Sequence, residues 1–448
     1  MQNSFLLTNA LSERLYHECA KTLPIIDYHN HLAVSDIVEN RRFENIAQLW
    51  VIADPYKHRA MRILGIPEKF ITGDATDFEK FEVWYNALPK LIGNPLFDWS
   101  QMELKTVFDI DLLPFNDASV MWEKLNTKLS EMASLDILRK FNIEYSAPCT
   151  ALTDDLSIFN KESGLCPSLR GDDLILPKCE LLSLLSELSK KKISTLSDYI
   201  DAIDARLSAF KEVGTFFTDH ALDNGFAYIA DDGKNEERFE MLLAGELSKK
   251  DELPLRSCIL KSLMSLYSKH GFTVQLHIGA QRTTSTRLRT LAGAAGGYAA
   301  IGHTVDVCSI TSLLDDVEKT PTGLPRILLF TLNPSDNAVF ATLSGSYSKD
   351  NCESLVSQGP AWWWCDHYEG IYNMLSTFMT HSVLSTFTGM TTDSRSLLSF
   401  VRHDYFRRVL CEWISDMVNK KRLPNDFSLL SATIRKICYE NAKKIIGG

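Results

Sequence analysis

The sequence predicts a (β/α)8 barrel, and three observations carry that reading. Eight short apolar runs alternate with longer stretches of 3.6-residue periodicity, the pattern of repeated βα units on a parallel sheet. Side chains able to do chemistry stand directly after several of these runs, where a barrel keeps its active site. No Pro/Ser-rich linker divides the 448 residues, so residues 1–448 read as one domain. Periodicity alone leaves an open doubly wound sheet as the alternative, because it does not show closure.

The elements follow in order. Residues 1–23 read as an amphipathic helix: there is no basic stretch before an apolar one, and Glu13 and Glu18 come early. The first strand is 24–28. Residues 35–140 then read almost entirely as helix, with segments around 42–50, 78–86 and 121–125. This long helical insertion falls in the first βα loop, on the catalytic face, where it is expected to cap the site and exclude water. The remaining strands are expected at 142–148, 165–169, 215–219, 272–277, 326–332, 354–358 and 387–391. Helical periodicity fills the gaps, for example over 181–188 and 258–267. The glycine-rich stretch 293–297 follows no strand and reads as a loop.

Composition narrows the function classes. With 47 Lys+Arg against 57 Asp+Glu, the formal net charge is −10, and no basic block relieves it. Nucleic acid and anionic membrane surfaces are therefore poor partners. No apolar run approaches the roughly 18 residues of a membrane span. The ten cysteines are scattered without a CxxC pair, and a reducing cytoplasm is their simplest setting. There is no G-x-S-x-G, P-loop or G-x-G-x-x-G, so a serine nucleophile and a nucleotide cofactor lose support.

The strand ends carry His29 and His31, Cys149 and Thr150, Arg170, Asp219 and His220, His277, Asn333, Trp362 to Trp364, and Asp393 with Arg395. His29-x-His31 is the sharpest signal, since a spacing of two along a strand sends both imidazoles to one side. In a closed barrel Asp393 of the last strand neighbours the first, which completes a His2Asp set for one Zn²⁺ or Mn²⁺. The plain alternative is two histidines bonded to backbone carbonyls. A binuclear centre is disfavoured because the fourth strand end has no lysine and the sixth has Asn333. Arg170 and Arg395 can bind a carboxylate bidentately or form structural ion pairs. Asp219-His220 reads as an orienting pair or as a buried, satisfied histidine, and the tryptophan run as a pocket wall or as core.

Longer stretches point further. IIDYHNHL (25–32), ENRRFENIAQLW (39–50), TGDATDFEKFEVWYNALP (72–89), TDHALD (218–223), QLHIGAQR (275–282), LNPSDN (332–337), TGMTTDSRSLLSFVRHDYFRR (388–408) and ICYENAKK (437–444) resemble the uronate (glucuronate) isomerase family, a branch of the metal-dependent amidohydrolase barrels. The resemblance covers nearly the whole chain. It implies interconversion of hexuronates with their ketose forms, D-glucuronate to D-fructuronate or D-galacturonate to D-tagaturonate. It further implies His29, His31 and Asp393 as metal ligands, Zn before Mn, and Arg170 as a substrate-binding arginine with Tyr56 on the lid. On this basis Asp393 is expected as the base, Arg395 as a stabiliser of the enediolate, and His277 and Trp362 as further substrate contacts; a homo-oligomer is left open. The chain departs from the family at Pro55, where the family motif has histidine, at 148–152, at 282–287 and at 359–361. These departures keep two alternatives in view: altered substrate, including hydrolysis of a sugar lactone by the same ligands, and a non-catalytic sugar-acid binder.

Overall fold

The computed structural model describes residues 4–447. Seven parallel strands curl around a common interior in the order β1 (Ile25–Asn30), β2 (Ile143–Ala151), β3 (Ser168–Arg170), β4 (Phe217–Leu222), β5 (Thr273–Ile278), β8 (Ile327–Thr331) and β9 (Val356–Gln358). A two-residue antiparallel pair, β6 (Ala280–Gln281) with β7 (Ala300–Ile301), stands apart from that sheet. The period-two alternation of the strands sorts the core. Tyr145, Phe217, Leu328 and Phe330 point inward with Ile26 and Tyr28. Leu169, Val274, Leu276, Ile327, Leu329 and Val356 point outward against helices such as Lys249–His270 and Val307–Glu318.

The expected eighth strand, 387–391, is not a strand. Gly389 has φ +82°, and a Cβ there would lie 2.2 Å from the Ile437 carbonyl oxygen of the packed C-terminal helix, so the backbone cannot run extended. The segment still takes the eighth place beside β1. Asp393 N–H donates to His29 O at 3.0 Å and His31 N–H to Ser394 O at 2.8 Å. The Thr391 hydroxyl stands in for a backbone partner, accepting from His29 N–H at 2.9 Å. Buried Asp27 pins the junction, accepting from Thr392 N–H at 2.6 Å, the Thr392 hydroxyl at 2.8 Å and Asn30 Nδ2 at 2.8 Å.

Other boundaries move by a few residues. The third strand starts at Ser168 rather than at 165. The N-terminal helix expected over 1–23 is Ala10–Leu15 followed by a π-turn at Tyr16–Ala20, and its residues 1–3 lie outside the described part. Between β1 and β2 the chain is helical, from Val34–Val38 to Ser134–Leu138. No helix among the described residues is long and apolar enough to cross a membrane.

Candidate active site

A bulge in β1 builds the centre of the site. Asp27 pairs with Ser146 and Asn30 with Pro148, so β1 advances three residues while β2 advances two. The extra residue resets the alternation. Tyr28 packs inward on Phe217 at 5.3 Å, while His29 and His31 both reach the cavity at the strand ends.

Three ligand atoms meet there. Asp393 Oδ1 lies 3.3 Å from His29 Nε2 and 3.1 Å from His31 Nε2. Two donors each about 2.1 Å from a shared ion, at angles of about 90–110°, stand roughly 3.0–3.4 Å apart. Each histidine therefore meets Asp393 at a spacing that a shared cation allows, and ligand atoms of His29, His31 and Cys149, and of His29, Asp219 and His277, lie within 4.8 Å of one another. Their electrostatics agree. Burial lowers the basicity of both imidazoles, but the negative charge of Cys149 and the Asp393 carboxylate outweigh it, taking His31 up to about 9 and His29 also upward. Burial raises Asp393, yet its bonds to the two histidines hold it well below the usual carboxylate range.

Beside this cluster stands a second set of groups. Cys149 Sγ lies 3.7 Å from His29 Nδ1 and 3.5 Å from Asp219 Oδ1. Burial, then the neighbouring Cys149, push the Asp219 carboxyl up to about 8 against the pull of His29 and Arg170. His277 is buried with its Nε2 lacking a partner, and burial followed by the charge of His29 keeps its imidazole neutral. Arg170 Nη2 pairs with Asp172 at 2.7 Å, and its Nη1 lies 3.9 Å from Asp219.

The helix Pro55–Ile63 forms the opposite wall. Asp54 caps it, accepting from Tyr56 N–H at 2.9 Å, and Pro55 is its first residue, where a missing N–H costs nothing. The glycine-rich stretch does form a loop, and it abuts this helix: a Cβ on Gly297 would lie 2.2 Å from the Pro55 carbonyl oxygen. Tyr56 is buried, with its ring 4.4 Å from the Arg402 guanidinium carbon.

His29, His31, Tyr56, Arg170, His277, Trp362, Asp393 and Arg395 line one cavity of about 320 Å³, whereas Thr150, His220, Asn333 and Trp364 do not. Trp362 Nε1 donates to Asp393 Oδ2 at 2.8 Å. Arg395 is exposed at the mouth, while the Asp393 carboxylate meets His29, His31 and Trp362. His220 does not join the site. Strand alternation turns it outward, where Nε2 meets the Tyr267 hydroxyl at 2.9 Å. Two further cavity residues were read from the sequence only as strand-end groups: Cys149 without a stated role, and Asp219 as an orienting partner of His220. Arg282, whose Nε donates to Asp223 at 2.7 Å, lies beyond the bend at Gly279, so the only available signal was its place in the QLHIGAQR stretch.

A family model described as glucuronate isomerase matches residues 1–446. Uronate isomerases of Caldicellulosiruptor saccharolyticus and Bacillus pumilus are each 37% identical to this chain, over 460 and 458 residues, covering 100% and 99% of it and 99% and 96% of their own lengths. The crystal structure of uronate isomerase from Thermotoga maritima superposes with a TM-score of 0.90 at 26% identity, covering 100% of this chain and 99% of that one. Glucuronate isomerase from Caulobacter crescentus shares the fold, with a TM-score of 0.89 at 22% identity over 100% of this chain and 96% of its own.

Proposed function

The chain belongs to the glucuronate isomerase family, and from that premise we propose that its cavity interconverts a hexuronate and the corresponding ketouronate in sugar-acid catabolism. One observation carries the assignment to this cavity. In a chain of net charge −10, three guanidiniums, Arg170, Arg282 and Arg395, line the same space as the His29–His31–Asp393 cluster. A carboxylated sugar needs the first feature and its carbonyl end the second.

The isomerisation moves a proton from C2 to C1 and the hydroxyl proton from O2 to O1, with no external oxidant. Arg170 anchors the C6 carboxylate. Asp393 takes the C2 proton; its carboxylate is ionised and a weak base, so the C2–H must be made more acidic by stabilising the enediolate, which is the role of Arg395. Asp219 and neutral His277 contact the sugar hydroxyls, as does Trp362. A divalent cation, Zn²⁺ first and Mn²⁺ second, would be held by His29, His31 and Asp393 and would supply Lewis-acid polarisation and substrate orientation. The helices between β1 and β2 act as the lid, with Tyr56 facing the sugar and Pro55 filling the place of the family's histidine.

The test is ketose formation by the purified chain, supplied with Zn²⁺ or Mn²⁺, from D-glucuronate, D-galacturonate and the corresponding neutral hexoses. The expected result is turnover of at least one uronate and none of the neutral sugars. Turnover of sugar lactones alone would reassign the site to hydrolysis, and calorimetric binding of uronates without turnover would make it a binding protein.

A further inference from the structure

The set His29, His31 and Asp393 does not exhaust the ligand atoms at this point of the cavity. Cys149 follows Pro148, which pairs with Asn30 across the β1–β2 boundary, so its thiol emerges level with His31. Ligand atoms of His29, His31 and Cys149 all lie within 4.8 Å of one another. Donors about 2.1 and 2.3 Å from one tetrahedral ion stand roughly 3.6 Å apart, and Cys149 Sγ is 3.7 Å from His29 Nδ1, so an ion that His29 takes through Nδ1 is within reach of the thiol. Of the ten unpaired cysteines, Cys149 is the one lining this cavity.

The thiol is placed among groups able to bind a cation: its sulfur stands 3.7 Å from His29 Nδ1 and 3.5 Å from Asp219 Oδ1. The same wall carries an uncommitted group: His277 is 3% exposed, lines the cavity and has no partner at Nε2. Two side chains able to bind a ligand are thus turned toward one space.

We propose that Cys149 is a ligand of the divalent cation held by His29 and His31, making the site selective for thiophilic ions over hard ones. This rests on the metal reading given above and narrows it. Thiolate favours Zn²⁺, Co²⁺ and Cd²⁺ over Mn²⁺ and Mg²⁺, so the oxygen-and-nitrogen set alone would discriminate less.

The test loads the full chain with Co²⁺ and records its absorption. Visible d–d bands report that the ion is bound, and a near-ultraviolet sulfur-to-cobalt charge-transfer band reports that a thiolate holds it. The wild type is expected to show both; Cys149→Ser is expected to keep the d–d bands and lose the charge-transfer band. Competition between Cd²⁺ and Mn²⁺ should show a preference for Cd²⁺ that falls on the order of tenfold in the variant. Wild-type d–d bands without charge transfer, or charge transfer that survives in Cys149→Ser, would overturn the role of Cys149 while leaving the metal site intact. Absence of any d–d band in the wild type would overturn the metal reading and this proposal with it.

Discussion

Asp393 is where the requirements of fold and chemistry meet in one residue. It sits in the left-handed region at φ 47°, a conformation Asp tolerates better than most residues. Its N–H bonds β1 while its side chain collects His29, His31 and Trp362. Arg395, two residues on, is free of such duties: it is exposed and has no shared bond with Asp393. Arg395→Lys keeps the charge and loses the planar fork. We expect kcat to fall on the order of 10²-fold, as for loss of one preorganised donor, with stability changed by less than about 0.5 kcal/mol. Steady-state kinetics beside thermal unfolding checks this; near-normal kcat would return Arg395 to an ordinary surface charge. At this scale the sequence was readable where spacing encodes direction, as in His29-x-His31. It was unreadable where partners come from other strands. Nothing local to Cys149 or Asp219 announces that β1, β2 and β4 bring them within hydrogen-bond reach of each other.

At the scale of elements, the helix Pro55–Ile63 shows how a proline at position 55 is absorbed. Proline suits its first turn, and Asp54 both caps it and holds the buried Lys57 ammonium at 2.8 Å. Burial raises the Asp54 carboxyl, but Lys57 and Arg402 bring it below its ordinary value. A depressed folded pKa contributes stability that is present above the unfolded value and is lost as pH falls through the folded one. Asp54→Asn keeps a capping side chain and removes the charge. We expect it to cost about 3 kcal/mol at neutral pH, toward the low end for a broken buried pair, because Glu103 remains 3.6 Å from the ammonium. That difference should shrink as pH falls below about 4. Denaturant unfolding across pH measures it, and a pH-independent difference would contradict the charge assignment. The loop that meets this helix gives a second case. Gly297→Ala must fit a Cβ against Pro55 O at φ +79°, a strain of about 1–3 kcal/mol. Amide exchange over residues 55–63 should accelerate in the folded variant; unchanged exchange would show that the loop does not brace the helix.

On the scale of the whole molecule, the curled parallel sheet was legible because its strands are short apolar runs with outward and inward faces that alternate. Seven of the eight expected strands are present, with shifts of a few residues at their ends. The eighth was misread because 387–391 has a strand's composition, while the close approach of the Ile437 carbonyl demands the bend at Gly389, a tertiary fact with no local trace. Closure falls instead to Asp27, Thr391 and Thr392, side chains doing what a ladder would do. The helical run between β1 and β2 was legible in outline from its periodicity and length, but its contact with the loop at 293–297 was not, since about 240 residues separate the partners. The whole arrangement sets three guanidiniums and a cation-seeking cluster around one small cavity in an acidic protein. Carbon NMR of a hexuronate labelled with ¹³C at C2, incubated in D₂O with the cation-loaded chain, tests that account most directly. It predicts that the C2 alcohol resonance is replaced by ketone and hemiketal signals, with solvent deuterium entering C1. A C2 resonance that stays unchanged for both glucuronate and galacturonate, in a folded and cation-loaded protein, would contradict it.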